Sequence, residues 1–447
     1  MAKLINYFFD KDIYKSPIYL SFVCFVLGIF FSRAVLSISI VLILAASIHS
    51  FYINDKKKLN KASLVFLPFY LVLILSYFYT SNRNDWFDML FKNSVFLLLP
   101  LAFLFFQQIS KSIVYYIINL FLGLTLVSVV INAIQALFNY NLISELAIKS
   151  KTLEPLMGSN FHDLSLIYAL TIVFLTYKII KSPSINYRIL LAFLILGVGV
   201  FILSYRFALI VLGCSSLIIL FKHVNLKKSL FLKVIVSLLI LSLGLLYSPI
   251  TNKIKTTLYD LESIYGDVNP NFKSLGQRWA AIKCSAEIIN NNLFFGVSAP
   301  DLPAEMQKQY EENSYLLIPE NRIFIHNQFL FYTASYGIFG LCLFTSFLGY
   351  LIHKFLKNKQ HFAVAILAVF LAQMLIENSL EIQISSYLFL ILMLYFSSID
   401  EQIEESKVHA AQFAAVLEKA AKRFNALAKV EERHANHYQQ VLNKITA

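Results

Sequence analysis

The chain has 447 residues, 58% of them hydrophobic, with 41 Phe, 25 Tyr, a mean hydropathy of +0.66 and a net charge of +12. A water-soluble fold of this length cannot hide so much apolar surface, whereas a bundle of membrane-spanning helices need not. The basic excess therefore reads as loop charge on one side of a bilayer, and nucleic acid is excluded as a partner.

The pattern predicts an all-α, polytopic membrane protein. Apolar runs of bilayer length, about 17–25 residues, number twelve: 17–33, 34–54, 63–80, 89–107, 112–138, 161–179, 188–204, 205–221, 229–248, 326–352, 361–379 and 383–399. The stretch 188–221 is too long for one span and is divided at Ser204-Tyr205-Arg206. No small-residue cleavage site follows the first run, which is expected to stay as an anchor. Lys56, Lys57, Lys58, Lys61, Lys178, Lys181, Lys354 and Lys357 fall in alternate loops, whereas the opposite short loops carry few basic residues. That bias puts the N-terminus in the cytoplasm and the long interlude 249–325 on the outer face. Lys92, inside the fourth run, is expected to snorkel to the interface on its long stem.

The interlude predicts two amphipathic helices forming a lid. Trp279, Ile282, Ile289, Leu293 and Phe294 recur at roughly helical spacing opposite Lys283 and Glu287. Asn290-Asn291-Asn292 should stop that helix, because Asn tolerates the left-handed conformation. A second, strongly charged helix is expected over 304–313. Cys24, Cys214 and Cys342 lie in apolar runs and Cys284 in the interlude, with no pair at metal-ligand spacing.

Domain organisation is expected to be a transmembrane catalytic domain, 1–399, and a cytoplasmic amphipathic tail, 400–447. In that tail Glu431 and His434 have the i, i+3 spacing of a ferritin- or rubrerythrin-type metal helix, which the tail resembles. One such pair cannot complete a coordination shell, so no metal is expected. The abrupt change of composition leaves open whether the tail is native or appended.

Ionisable groups at span ends are functional candidates. Arg206, Arg278, Arg322, His162, His326, Glu377 and Glu381 all map to the outer side. Guanidiniums grip pyrophosphate through planar forks of donors, and a neutral imidazole beside them suits a general base. An ordinary interface, with these groups paired to carboxylates or headgroups, is the competing reading.

His326-Asn327, nine residues, Gly337, two residues and Gly340 satisfy a pattern of the O-antigen ligase and polymerase superfamily, membrane glycosyltransferases of the GT-C type, which the chain resembles over about 150–395. Arg278-Trp279 and Asn292-Leu-Phe-Phe-Gly296 resemble its loop arginine and the following N-P-L-x-G, with Pro replaced. Ser204-Tyr205-Arg206 resembles its earlier S-R pair with one residue inserted. The resemblance implies an inner-membrane enzyme with a periplasmic site, needing no cofactor or metal. It would move a glycan from an undecaprenyl-pyrophosphate donor, with inversion, to a hydroxyl acceptor. His326, Arg278 and Arg206 would be catalytic, the arginines holding the pyrophosphate; Asn327, Arg322, His162, Glu377 and Trp279 would bind substrate. The single large outer loop leans toward a ligase acting on lipid A–core oligosaccharide. A polymerase, with another lipid-linked repeat unit as acceptor, is the alternative. A lipid-linked sugar flippase is the alternative from another class, disfavoured because the charges crowd at the outer rim and no internal repeat is evident. Gly337 and Gly340 are expected to let helices approach behind His326.

Overall fold

The computed structural model describes residues 16–398 except 54–58, 107–110, 140, 143–152, 159, 182–185, 224–254, 256–259, 261–269 and 314–316. The expected ninth span, the basic N-terminal residues and the tail with Glu431 and His434 lie outside the described residues. Among those described there is no strand.

The helices are α1 (Pro17–Phe31), α2 (Arg33–Ile53), α3 (Pro68–Leu75), α4 (Arg83–Lys92), α5 (Val95–Leu104), α6 (Lys111–Phe138), α7 (Phe161–Lys181), α8 (Tyr187–Leu203), α9 (Arg206–His223), α10 (Ser274–Asn291), α11 (Leu302–Glu312), α12 (Gln328–Lys357), α13 (His361–Ile376) and α14 (Gln383–Ser398). Short 3₁₀ turns, Lys61–Phe66 and Ser76–Phe78, flank α3. Six helical stretches are long and apolar enough to cross a membrane, and five shorter apolar helices accompany them. Together they account for eleven of the twelve expected spans. The chain is an all-α, polytopic membrane protein.

Its solvent explains its surface. Phe138 is 87% exposed and Phe78 82%, which costs little when hydrocarbon rather than water surrounds them. α7 is the exception: 72% of its apolar window is buried, against 28–44% for the other five long stretches. It forms the centre of the bundle, packed by α8, α9 and α13. The division at Ser204 is real, because Ser204 takes a left-handed conformation (φ 53°) that ends α8 before Arg206 opens α9.

The interlude does hold two helices, α10 and α11, packed together with α10 also on α12. The buried face of α10 differs from the expectation. Trp279 and Ile282 are each 39% exposed, while Gly276, Ala280, Ala281, Cys284 and Ser285 are buried. Small side chains let the helix lie close against its neighbours, and the larger apolar stripe is left for the interface, where Trp is favoured. α10 stops at the asparagines, but Asn292 is not left-handed (φ −136°); that turn falls later, at Gly296 (φ 67°).

Gly296 and Gly337 make one joint. At Gly337 (φ 65°, ψ −162°) α12 breaks, freeing the Ala334 and Ser335 carbonyls to accept hydrogen bonds from the Val297 and Ser298 amides, each at 2.9 Å. The Ile338 amide in turn donates to the Leu293 carbonyl at 2.8 Å. A Cβ on Gly337 would stand 2.1 Å from the Phe294 carbonyl oxygen, and one on Gly296 2.4 Å from the Ser335 carbonyl carbon. So Gly337 serves the approach of the 293–298 loop, through both its φ and its missing side chain, rather than the approach of another helix.

Candidate active site

The site is assembled where helices begin. His162 is the second residue of α7, Arg206 the first of α9, and His326 lies two residues before α12; Glu377 caps the end of α13. Asn327 positions His326 by capping α12: its Oδ1 accepts from the Leu330 amide and its Nδ2 donates to the Leu375 carbonyl. Arg278 is carried in by the second turn of α10. The start of α10 is anchored from a distance by Asp260, whose Oδ2 accepts from the Leu275 amide at 3.5 Å.

Glu377 is the hub. Its side chain is 5% exposed, and it holds three partially exposed cationic or basic groups. His326 Nδ1 is 2.6 Å from Oε2, Arg278 Nη2 donates to Oε1 at 2.9 Å, and His162 Nδ1 lies 3.5 Å from Oε1. Arg278 Nη1 also donates to the Ile376 carbonyl at 2.7 Å. Burial alone would raise the Glu377 carboxyl. The hydrogen bond from His326 and the charges of His326, His162 and Arg278 outweigh it and hold the carboxyl below its ordinary value.

An ionised carboxylate only accepts, so His326 Nδ1 must carry the hydrogen in this bond, and in the neutral form of the ring the lone pair is then on Nε2. The three groups on Glu377 keep side-chain exposures of 29–36%, so a carboxylate at the base presents an imidazole and a guanidinium to a substrate. Of the five N–H donors of Arg278, Glu377 and Ile376 take two, and three remain. Arg206 stands within charge range of both Arg278 and Asp260.

The structure thus brings together His326, Arg278, His162 and Glu377, with Arg206 nearby. The others expected to bind substrate are engaged otherwise. Arg322 turns to Glu311 (3.5 Å) and the Leu317 carbonyl (3.4 Å) within the lid. Both ends of the Asn327 amide are spent on backbone. Trp279 lies on the outward face of α10, with the Lys283 ammonium 5.8 Å from its ring centroid. Glu377, expected to bind substrate, lies nearly enclosed beneath His326, Arg278 and His162. Asp260 was missed because it caps α10 from 15 residues away, outside any local capping pattern. Among the described residues no group of three or more His, Cys, Asp or Glu could hold a metal.

Residues 191–345, about a third of the chain, match the family model described as O-antigen ligase. That segment runs from α8 into α12 and contains Arg206, Arg278 and His326; it supports the resemblance to the O-antigen ligase and polymerase superfamily read from the sequence. No curated protein matches the chain.

Proposed function

We propose that the chain is an inverting glycosyltransferase of the O-antigen ligase type, moving a glycan from undecaprenyl pyrophosphate to lipid A–core oligosaccharide at the periplasmic face of the inner membrane. The observation that carries this reading is His326, bonded through Nδ1 to a buried carboxylate that also grips Arg278. That arrangement sets the tautomer of the imidazole and aims its basic nitrogen where the arginine can hold an anion.

In the step, the acceptor hydroxyl oxygen forms a bond to the anomeric carbon as its proton passes to His326 Nε2. The bond from that carbon to the pyrophosphate oxygen breaks, and its electron pair leaves on the pyrophosphate. The three spare donors of Arg278, together with Arg206, stabilise the charge that develops there. The N-termini of α7, α9 and α12 at the cluster add partial positive charge. Glu377 keeps His326 oriented and stabilises the imidazolium formed.

The test is complementation of a ligase-null and a polymerase-null strain by the parent chain and by His326→Ala, read as lipopolysaccharide banding on a gel. Long-chain banding restored in the ligase-null strain and lost with His326→Ala is the expected result. Restoration only in the polymerase-null strain would replace the acceptor with a lipid-linked repeat unit. Full activity of His326→Ala would overturn the assignment of the base.

A further inference from the structure

Three interruptions of helix meet at one cavity of about 590 Å³. The first is the Ser32–Arg33 hairpin between α1 and α2. The second is the Asn93–Ser94 break, which splits α4 from α5 in the middle of a single 22-residue apolar span. The third is the 3₁₀ turn Ser379–Glu381 between α13 and α14. The first and third are connections between spans, and only the second breaks a span. Broken helix within a span is tolerated only where protein buries it or where it lines a polar cavity.

The wall carries both charge signs, Arg33 and Lys92 with Asp163 and Glu381, together with Gln383 and Ser386. Gln383 Nε2 donates to the Ser37 hydroxyl (2.8 Å) and the Arg33 carbonyl (3.3 Å), and the Ser386 hydroxyl to the Gln383 carbonyl (3.0 Å), which braces that wall. Lys92 therefore lines a polar cavity rather than simply snorkelling along lipid. Its charge acts on Glu381, to which Asn93 also donates a hydrogen bond. Burial nevertheless pushes the Glu381 carboxyl up to about 7, so near neutral pH it can accept or donate a hydrogen bond. By contrast, the hollow of about 360 Å³ between α6 and α8 is walled by Val129, Ile134, Leu194 and Val198, as a crevice for a lipid tail would be.

Paired donors and acceptors without a dominant sign suit a polyhydroxylated ligand, and the volume lies within the roughly 300–1,000 Å³ of ligand pockets. The cavity also adjoins the cluster: Asp163 follows His162, and Glu381 is four residues past Glu377. We propose, resting on the transferase reading above, that this cavity is the acceptor subsite. There Glu381 accepts from a hydroxyl of the acceptor sugar, while Arg33 and Lys92 donate to its oxygens. Asp163, whose carboxylate already accepts from Asn160 Nδ2 (2.9 Å) and Ser385 Oγ (3.4 Å), braces the wall behind them. The donor pyrophosphate stays on the Arg278 side of the cluster.

Binding tests this apart from catalysis. Full-length His326→Ala protein in nanodiscs is titrated with lipid A–core oligosaccharide and, separately, with undecaprenyl pyrophosphate. Adding Glu381→Gln or Lys92→Gln should weaken the oligosaccharide about tenfold and leave undecaprenyl pyrophosphate unchanged. Ser37→Trp, which fills the cavity from α2, should do the same without removing a charge, which guards against a variant that misfolds. Loss of undecaprenyl pyrophosphate affinity instead would make the cavity a donor site. Unchanged binding of both, or no saturable oligosaccharide binding by the parent, would equally overturn the proposal. Because these titrations need no turnover, they fail independently of the complementation result for His326.

Discussion

Glu377 and Glu381 stand four residues apart on the connection between α13 and α14, and the protein holds them in opposite ways. Glu377 is nearly enclosed, but Arg278 and two imidazoles surround it, and it stays ionised to lower pH than a free carboxyl. Glu381 has the charge of Lys92 and a hydrogen bond from Asn93, but burial prevails, lifting its carboxyl to about 7. The same side chain thus becomes a permanent anchor in one place and a proton-sharing group in the other. What differs is the balance: a guanidinium and two imidazoles within 3.5 Å outweigh burial at Glu377, whereas burial outweighs Lys92 and Asn93 at Glu381.

The largest break in this contrast should come from Glu377→Ala, which strands Arg278 and releases the tautomer of His326. A loss of about 10²–10⁴ in transfer rate is expected, the range of general acid–base contributions. A merely structural role would leave the pH–rate profile of the residual activity unmoved. Here its limb should shift, and Glu377→Asp should recover part of the rate.

Next in size is Gly337→Ala. The added Cβ meets the backbone of Phe294, which has no flexible end to yield, and the positive φ adds strain. A destabilisation of about 1–3 kcal/mol is expected, read as a lower Tm in detergent. Because α12 carries both the His326 end and, through Tyr332, Tyr336 and Gln328, contacts to the Glu381 turn, it should disturb both sides of the contrast.

The two carboxyls also predict opposite pH slopes of stability. Glu377 has a depressed folded value, so its contribution is present above the ordinary carboxyl value of about 4.5 and is lost as pH falls through the folded value. Glu381 is raised, so its contribution is full below about 4.5 and is lost as pH rises toward about 7. The groups facing Glu381 are Lys92, Arg33 and Asp163 around the cavity and the buried phenols of Tyr332 and Tyr336. Between pH 5 and 7 the parent should lose Tm relative to Glu381→Gln, and the two curves should run parallel above about pH 8. Parallel curves throughout would mean that Glu381 titrates as an ordinary surface carboxylate.

How much of this was legible follows from the range of each interaction. Eleven of the twelve spans, the Ser204 division and the two helices of the interlude are local patterns of hydropathy and turn chemistry, and the described residues have them. His326, Arg278 and Arg206 stood out as candidates because they sit in motifs that resemble those of the ligase and polymerase superfamily, with His326 and Arg206 also at span ends. The role of Glu377 could not, since its three partners come from α7, α10 and the start of α12, up to 215 residues away in the case of His162. Arg322 and Asn327 show the converse: a charged or polar residue in the right loop looks alike in sequence whether it meets substrate, a carboxylate such as Glu311 or the backbone of a neighbouring helix. The two-glycine motif was visible as spacing, but its partner, the 293–298 loop, is set by three-dimensional packing.

The smallest expected effect concerns Asp301, and it separates the two carboxylates most finely. Its carboxylate accepts from the Ser81 amide at 2.8 Å, the Asn82 amide at 3.0 Å and the Ser298 hydroxyl at 2.8 Å. It therefore ties the start of α11 to the entry of α4, whose far end supplies Lys92 to the cavity. Glu377, by contrast, is held by His162 of α7, Arg278 of α10 and His326 at the start of α12, and none of these three is a hydrogen-bond partner of Asp301. Asp301→Ala forfeits exposed hydrogen bonds and should cost about 1–2 kcal/mol. Because α4 loses its outer tether, hydrogen exchange should rise over residues 81–92 and hardly change over 274–291. Transfer at saturating acceptor should stay near the parent rate while the KM for lipid A–core oligosaccharide climbs a few-fold. An equal loss in kcat would instead show that the lid, α4 and the Glu377 cluster move as one body, and the two carboxylates would then not be independent.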